Sequence, residues 1–183
     1  MAFGYIKARH QPALIYSNRL KKHEQLGTAK SWVYELETVK LFFDTSVLVA
    51  ASVSGHSSNK QALAAIGLLR DNSVQGFMSQ HSIAETYAIL TSAPFNPRVQ
   101  PAQALMILEQ NLLPLLQPVP LNPKDYRIVL QSVAMANWRS GRIYDGLILH
   151  CAQKVNCDRL YTFNLKDFRA LAPPEFQAQI VSP

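Results

Sequence analysis

The sequence predicts an α/β fold with a mainly parallel central sheet, and three observations carry that expectation. Short apolar runs recur along the chain and end abruptly in polar turns. Between them lie segments of about 10–15 residues with helical spacing of their apolar positions, the alternation expected of a parallel sheet covered on both faces. The composition is globular, with 48% hydrophobic and 16% charged residues in 183. That length fits one domain able to bury its own core, and neither repeats nor an interdomain linker interrupt it.

Residues 1–38 have weak periodicity. Arg19 to Glu24 reads as helical, but Gly27 and Thr28 interrupt it, so the region is treated as a basic N-terminal extension without an assigned fold. Organised sequence starts at Val39. The run Val39-Lys40-Leu41-Phe42-Phe43 is a buried strand, and Asp44-Thr45-Ser46 its polar end. Val47 to Ala51 forms a short helix, with Thr45 or Ser46 as its N-cap. A loop at Gly55 to Ser58 precedes a helix over 59–70, marked by Ala62, Ile66 and Leu69.

Val74 to Ser79 is the next strand, followed by a helix from His81 to Thr91 with Ile83, Tyr87 and Leu90 on one face. Pro94, Pro97 and Pro101 mark a connection. Leu105, Leu108 and Leu112 define a helix closed by Pro114, and the prolines of 116–121 place that strand at a sheet edge. Tyr126, Leu130 and Val133 give a helix over about 123–137, and another occupies 142–154. Arg159 to Phe163 reads as a strand, Asn164 to Phe168 as its turn, and Gln179 to Val181 as a last short strand.

Composition excludes several classes. No apolar run approaches the roughly 18–20 residues of a membrane span, and no secretory signal is visible; a soluble cytoplasmic protein is expected. Cys151 and Cys157 make neither a disulfide framework nor a zinc pattern. The net charge of +6 is uneven: residues 1–40 hold seven Lys or Arg against three acids, and residues 41–183 eleven against nine. Such a basic segment suits a polyanion, and equally a solvated arm.

The acids carry the chemistry. Asp44 closes an apolar strand, Glu85 lies in a helix of Ala, Ile, Leu and Tyr, Asp145 precedes Gly146-Leu147-Ile148-Leu149, and Asp167 follows the last clear strand. A carboxylate near a core is costly unless paired or bound to metal. Clustered, such groups would hold Mg²⁺ or Mn²⁺, which prefer oxygen ligands, and no Ser or Cys nucleophile is then needed. Each acid also has a plain alternative: Asp44 as a cap, Glu85 as a solvated charge, Asp145 as a residue favoured by a helix dipole.

Read in order, four segments resemble the PIN-domain ribonuclease family. Leu41 to Leu48 is similar to its opening strand motif, Ser79 to Leu90 to its second-acid helix, Arg142 to Ile148 to its third-acid motif, and Thr162 to Phe168 to its closing motif. The likeness spans about residues 39–183 and is closest to the toxin branch of bacterial toxin–antitoxin pairs. It implies a three-layer α/β/α sandwich, a Mg²⁺ or Mn²⁺ cofactor, hydrolysis of RNA phosphodiesters, a homodimer, and a small antitoxin partner that enters the active-site groove.

By that resemblance Asp44, Glu85 and Asp145 are the first three acids. Many relatives carry Asp where this chain has Asn164, so Asp167 is expected to be the fourth, with Asn164 donating an oxygen or ordering a water. Thr45 and Ser46 support Asp44 or act as caps. Arg139 and Arg142 contact RNA phosphates or stay solvated. His81 and His150 could each serve as a base, but a structural role is expected of His150; Trp138 stacks on a base or packs at a helix junction. Two rival classes stand beside the ribonuclease: a non-catalytic binding module, and a phosphotransferase with Asp44 as nucleophile, disfavoured because Ser46 stands where a second Asp is wanted.

Overall fold

A computed structural model describes residues 38–183, with the backbone alone of two strands upstream. The chain divides into two compact units, Met1–Val39 and Lys40–Pro183. In the first, β1 (Leu20–Glu24) pairs antiparallel with β2 (Trp32–Leu36). The stretch read as helical is therefore a strand; the rest of the basic extension lies outside the described residues.

The second unit is built on a five-stranded parallel sheet. Its strands are β3 (Val39–Phe43), β4 (Val74–Ser79), β5 (Leu116–Val119), β6 (Arg159–Tyr161) and β7 (Ile180–Val181). Spatial order is β5-β4-β3-β6-β7. Leu41, Phe42 and Phe43 are fully buried in the middle strand, as a strand covered on both faces requires. β5 takes the edge expected of its prolines.

From β3 the chain winds outward through α1 (Thr45–Ser52), α2 (Asn59–Gly67) and a 3₁₀ turn to β4. It continues through α3 (Gln80–Ser92), α4 (Pro101–Ile107) and a π-helical turn, Leu108–Leu112, to β5. It returns through α5 (Pro123–Met135) and α6 (Arg142–Lys154) to β6 on the other side of β3, then through α7 (Leu165–Leu171) to β7. The winding direction thus reverses between β3 and β6, the switch point at whose carboxyl ends open α/β sheets bind ligands.

On one face, Ile148, Leu149, Cys151 and Ala152 of α6 and Phe168 of α7 pack on Phe42, Phe77, Leu160 and Ile180. A separate cluster joins Val49 of α1, Leu90 of α3 and Ala104 of α4. Gly146 lets α5 approach α6: a Cβ there would lie 3.0 Å from methyls of Val129 and Val133. α5 opens with the capping box of Asn122 and Asp125, each side chain accepting from the other's backbone N–H, ahead of Pro123 at the first helical position.

Several local expectations are corrected. Asp44, not Thr45 or Ser46, is the N-cap of α1 by position, although its side chain makes no cap bond. The buried face of α3 is Ser82, Thr86 and Leu90, with Tyr87 exposed. In α4 Leu105 is exposed, and α5 buries Val129 and Val133 while Tyr126 and Leu130 face outward. Residues 165–171, read partly as a turn, are helix α7 behind Asn164. Cys151 and Cys157 are free and buried, and burial pushes their pKa values to about 11 and about 12, so both remain inert thiols.

Candidate metal centre

Asp44 follows β3 directly, and its backbone N–H continues the ladder to the Tyr161 carbonyl at 3.0 Å. Phe43 and Tyr161 stack side by side beneath it. This extended step (φ −71°, ψ 154°) carries the chain out of the sheet before α1 begins. The Asp44 carboxylate is buried and is not spent on the helix end. Its Oδ2 accepts instead from Ser46 Oγ at 2.5 Å and from Thr162 Oγ1 at 2.8 Å. Burial raises its pKa, with Ser46 and Thr162 opposing and Glu85 adding to the rise.

Glu85 arrives from α3. Thr45 Oγ1 lies 2.7 Å from Glu85 Oε2 and 3.0 Å from Ser82 Oγ. One hydroxyl has one proton, and the charged acceptor takes it; the Ser82 hydroxyl then donates to Thr45. This Ser82–Thr45–Glu85 chain, buried at Ser82 and Thr45, ties α3 to α1 and fixes Glu85 beside Asp44.

Asp145 stands in the first turn of α6 and Asp167 in the first turn of α7. Burial, then the charges of Asp44, Asp167 and Glu85, push Asp145 up to about 7, against a weaker opposite pull from Arg142. Four carboxylates from four elements therefore share one electrostatic site. Asn164 Nδ2 lies 3.1 Å from Asp145 Oδ2 and 3.3 Å from Asp167 Oδ2. The Asn164 amide nitrogen thus faces both acids.

Arg142 Nη2 lies 3.3 Å from Asp167 Oδ1, and its guanidinium sits 4.7 Å over the Trp138 ring. Trp138 itself packs against the Val129, Val133 and Leu147 cluster. Arg139 is exposed. His81 stacks on Tyr144, ring centroids 4.7 Å apart, and His150 Nε2 lies 3.4 Å from Asp125 Oδ1.

Two contributors escaped the sequence reading, Ser82 and Thr162. Ser82 is one helical turn before Glu85 and so shares its face. Thr162 directly follows β6, the strand next to that of Asp44, and its Oγ1 also accepts from the Asn164 N–H at 2.9 Å. The role of Thr162 follows from the pairing of β3 with β6, and that of Ser82 from the helical spacing.

Among the described residues, no three His, Cys, Asp or Glu side chains close tightly enough to enclose an ion. The donor set nevertheless fits a hard cation: it is all oxygen, partly desolvated and mutually repelling. Ions such as Mg²⁺ keep several waters and need only one or two direct carboxylates.

The PIN domain family model matches residues 41–172, and the chain belongs to that family. Its fold is similar to that of the VapC20 toxin of Mycobacterium tuberculosis, described as cleaving the sarcin-ricin loop: TM-score 0.54, 16% identity, 69% of this chain and 92% of that one. It is also similar to VapBC2 of Rickettsia felis, solved with a promoter DNA fragment (TM-score 0.51, 18% identity, 79% and 98%). FitAcB of Neisseria gonorrhoeae gives a TM-score of 0.50 at 19% identity over 72% and 92%. No curated protein sequence matches the chain. Among the described residues no helix is long and apolar enough to cross a membrane.

Proposed function

We propose that the chain is a Mg²⁺- or Mn²⁺-dependent endoribonuclease and the toxin of a toxin–antitoxin pair. The observation that carries this reading is the convergence of Asp44, Glu85, Asp145 and Asp167 at the switch point, with Asp145 pushed to about 7 by burial and by the other three. Such stored repulsion favours a cation. Asp44, the one buried acid of the four, and Asp145 are the direct ligands, and Glu85 and Asp167 hold the surrounding water.

When bound, a hard divalent ion supplies Lewis-acid polarisation of the phosphoryl group and a more acidic water. The protein does the rest. Ser46 and Thr162 keep Asp44 in one rotamer by occupying Oδ2. Thr45 occupies Glu85 Oε2 and leaves Oε1 to take the proton of an attacking water, in line with the departing 3′ oxygen. Arg139 and Arg142 supply positive charge for substrate phosphates.

RNA as substrate is inferred from family membership and the basic balance of +6. A small antitoxin and a second copy of the chain are the proposed partners; the similarity of the fold to a toxin supports the first. Exposed Leu105, Met106 and Leu115 supply apolar surface for an assembly. The cytoplasm is the proposed location.

Asn164 in place of an acid, with Arg142 on Asp167, favours one rival: a binding module without catalysis. Cleavage of a mixed RNA pool by purified chain with Mn²⁺, Mg²⁺ or EDTA, beside Asp44→Asn, separates the two. The nuclease cuts only with metal, and the variant loses about 10²–10³-fold, the scale of a lost electrostatic contributor. RNA binding without cutting in either metal, by folded protein free of inhibitor, gives the answer to the module.

A further inference from the structure

The acids of this site are not neutralised alike. Asp44 Oδ2 and Glu85 Oε2 meet neutral hydroxyls, from Ser46, Thr162 and Thr45. Asp167 instead faces nitrogen on both oxygens: Arg142 Nη2 at 3.3 Å from Oδ1 and Asn164 Nδ2 at 3.3 Å from Oδ2. The same amide nitrogen reaches Asp145 Oδ2 at 3.1 Å, so its two protons serve two carboxylates. A hydroxyl leaves a carboxylate its charge. A guanidinium cancels one unit and does not give up its proton.

Arg142 is also held from behind, its guanidinium 4.7 Å over the Trp138 ring, a contact that remains attractive for a half-exposed cation. Its charge reaches Asp145 as well as Asp167, since it pulls the Asp145 pKa down. The far side of the site thus already contains one fixed positive charge and a bridging donor.

We propose that Arg142 and Asn164 together occupy the place of a second cation beside Asp167, so that each chain binds one divalent ion, beside Asp44. Arg142 is then a positioning residue for Asp167 and keeps further N–H groups for a phosphate oxygen, in the fork geometry that suits phosphate. The inference rests on the metal-dependent reading of the site. It adds a stoichiometry that this reading alone does not give.

The test is the number of ions bound, independent of cleavage. Full-length chain stripped with chelator is titrated with Mn²⁺ alone, free ion being followed by electron paramagnetic resonance, for wild type, Asn164→Asp and Arg142→Gln/Asn164→Asp. One Mn²⁺ per wild-type chain and two per double variant are expected. Circular dichroism checks folding; if the double variant does not fold, the near-isosteric Asn164→Asp alone is expected to gain a second, weaker ion. Two ions on the wild type, or one on every folded variant, overturn the inference and leave the metal site standing. No ion on the wild type overturns both readings.

Discussion

The two sides of the acidic site are built from different chemistry. On the Asp44–Glu85 side, neutral hydroxyls of Ser46, Thr162, Thr45 and Ser82 make short bonds in a buried setting. On the Asp145–Asp167 side, an amide and a half-exposed guanidinium do the work across 3.1–3.3 Å. Hydroxyls orient carboxylates without discharging them, and rigid donors in a dry environment are costly to remove. A half-exposed guanidinium is screened by water and is worth little to stability, whatever it does for function. Order on one side and charge compensation on the other are therefore separable by mutation.

The largest expected effect is on the hydroxyl side. Thr162→Val keeps shape but removes the donor to Asp44 and the acceptor for the Asn164 N–H. It should cost about 1–3 kcal/mol in urea unfolding; a neutral result would mean that these hydroxyls do not hold the site. Thr86 is the control, since its Oγ1 is buried with no partner among the described residues. Thr86→Val should be neutral or raise stability by up to about 1 kcal/mol, and a loss as large as that at Thr162 would sink the distinction.

Next comes pH. The folded-state pKa of Asp145, about 7, lies above its ordinary 3.8, so between these values the folded chain holds more protons than the unfolded one. Stability of the metal-free protein should then fall as pH rises from about 4 to about 7 and level off above. Urea midpoints in EDTA across that range would report the slope, and Asp145→Asn should reduce it, the remainder coming from Asp44, whose pKa burial also raises. A rise with pH, unchanged in the variant, contradicts the assignment.

The smallest effect is expected at Arg142. Arg142→Gln should change stability by less than about 1 kcal/mol, in contrast to its proposed influence on ion number. A loss of several kcal/mol in the same urea assay would make the guanidinium a structural strut instead.

Strands and the order of acids were legible because the signals are local. Leu41-Phe42-Phe43 is apolar on both faces, as a middle strand must be, and Asn122-Pro123 announces α5 without reference to anything distant. Helix faces were harder. α4 and α5 carry more apolar residues than the core takes up, leaving Leu105, Met106, Leu130 and Met135 exposed, so spacing alone selected Tyr126 and Leu130 over Val129. Asn164 reads as a turn residue because its type favours turns, and α7 behind it was partly hidden. Thr162 and Ser82 look like any Thr or Ser until the packing of β6 on β3 and α3 on α1 gives them partners. The Arg142–Asp167 pair joins two separate helices and leaves no trace in spacing.

Pro118 has a consequence beyond marking the outer strand. Proline is tolerated where its missing N–H faces away from the neighbouring strand, so β5 presents an interrupted hydrogen-bonding margin. At the opposite margin β7 is only the two residues Ile180–Val181. Neither border offers a long template for strand addition. Growth of this sheet into a neighbouring molecule is thereby discouraged.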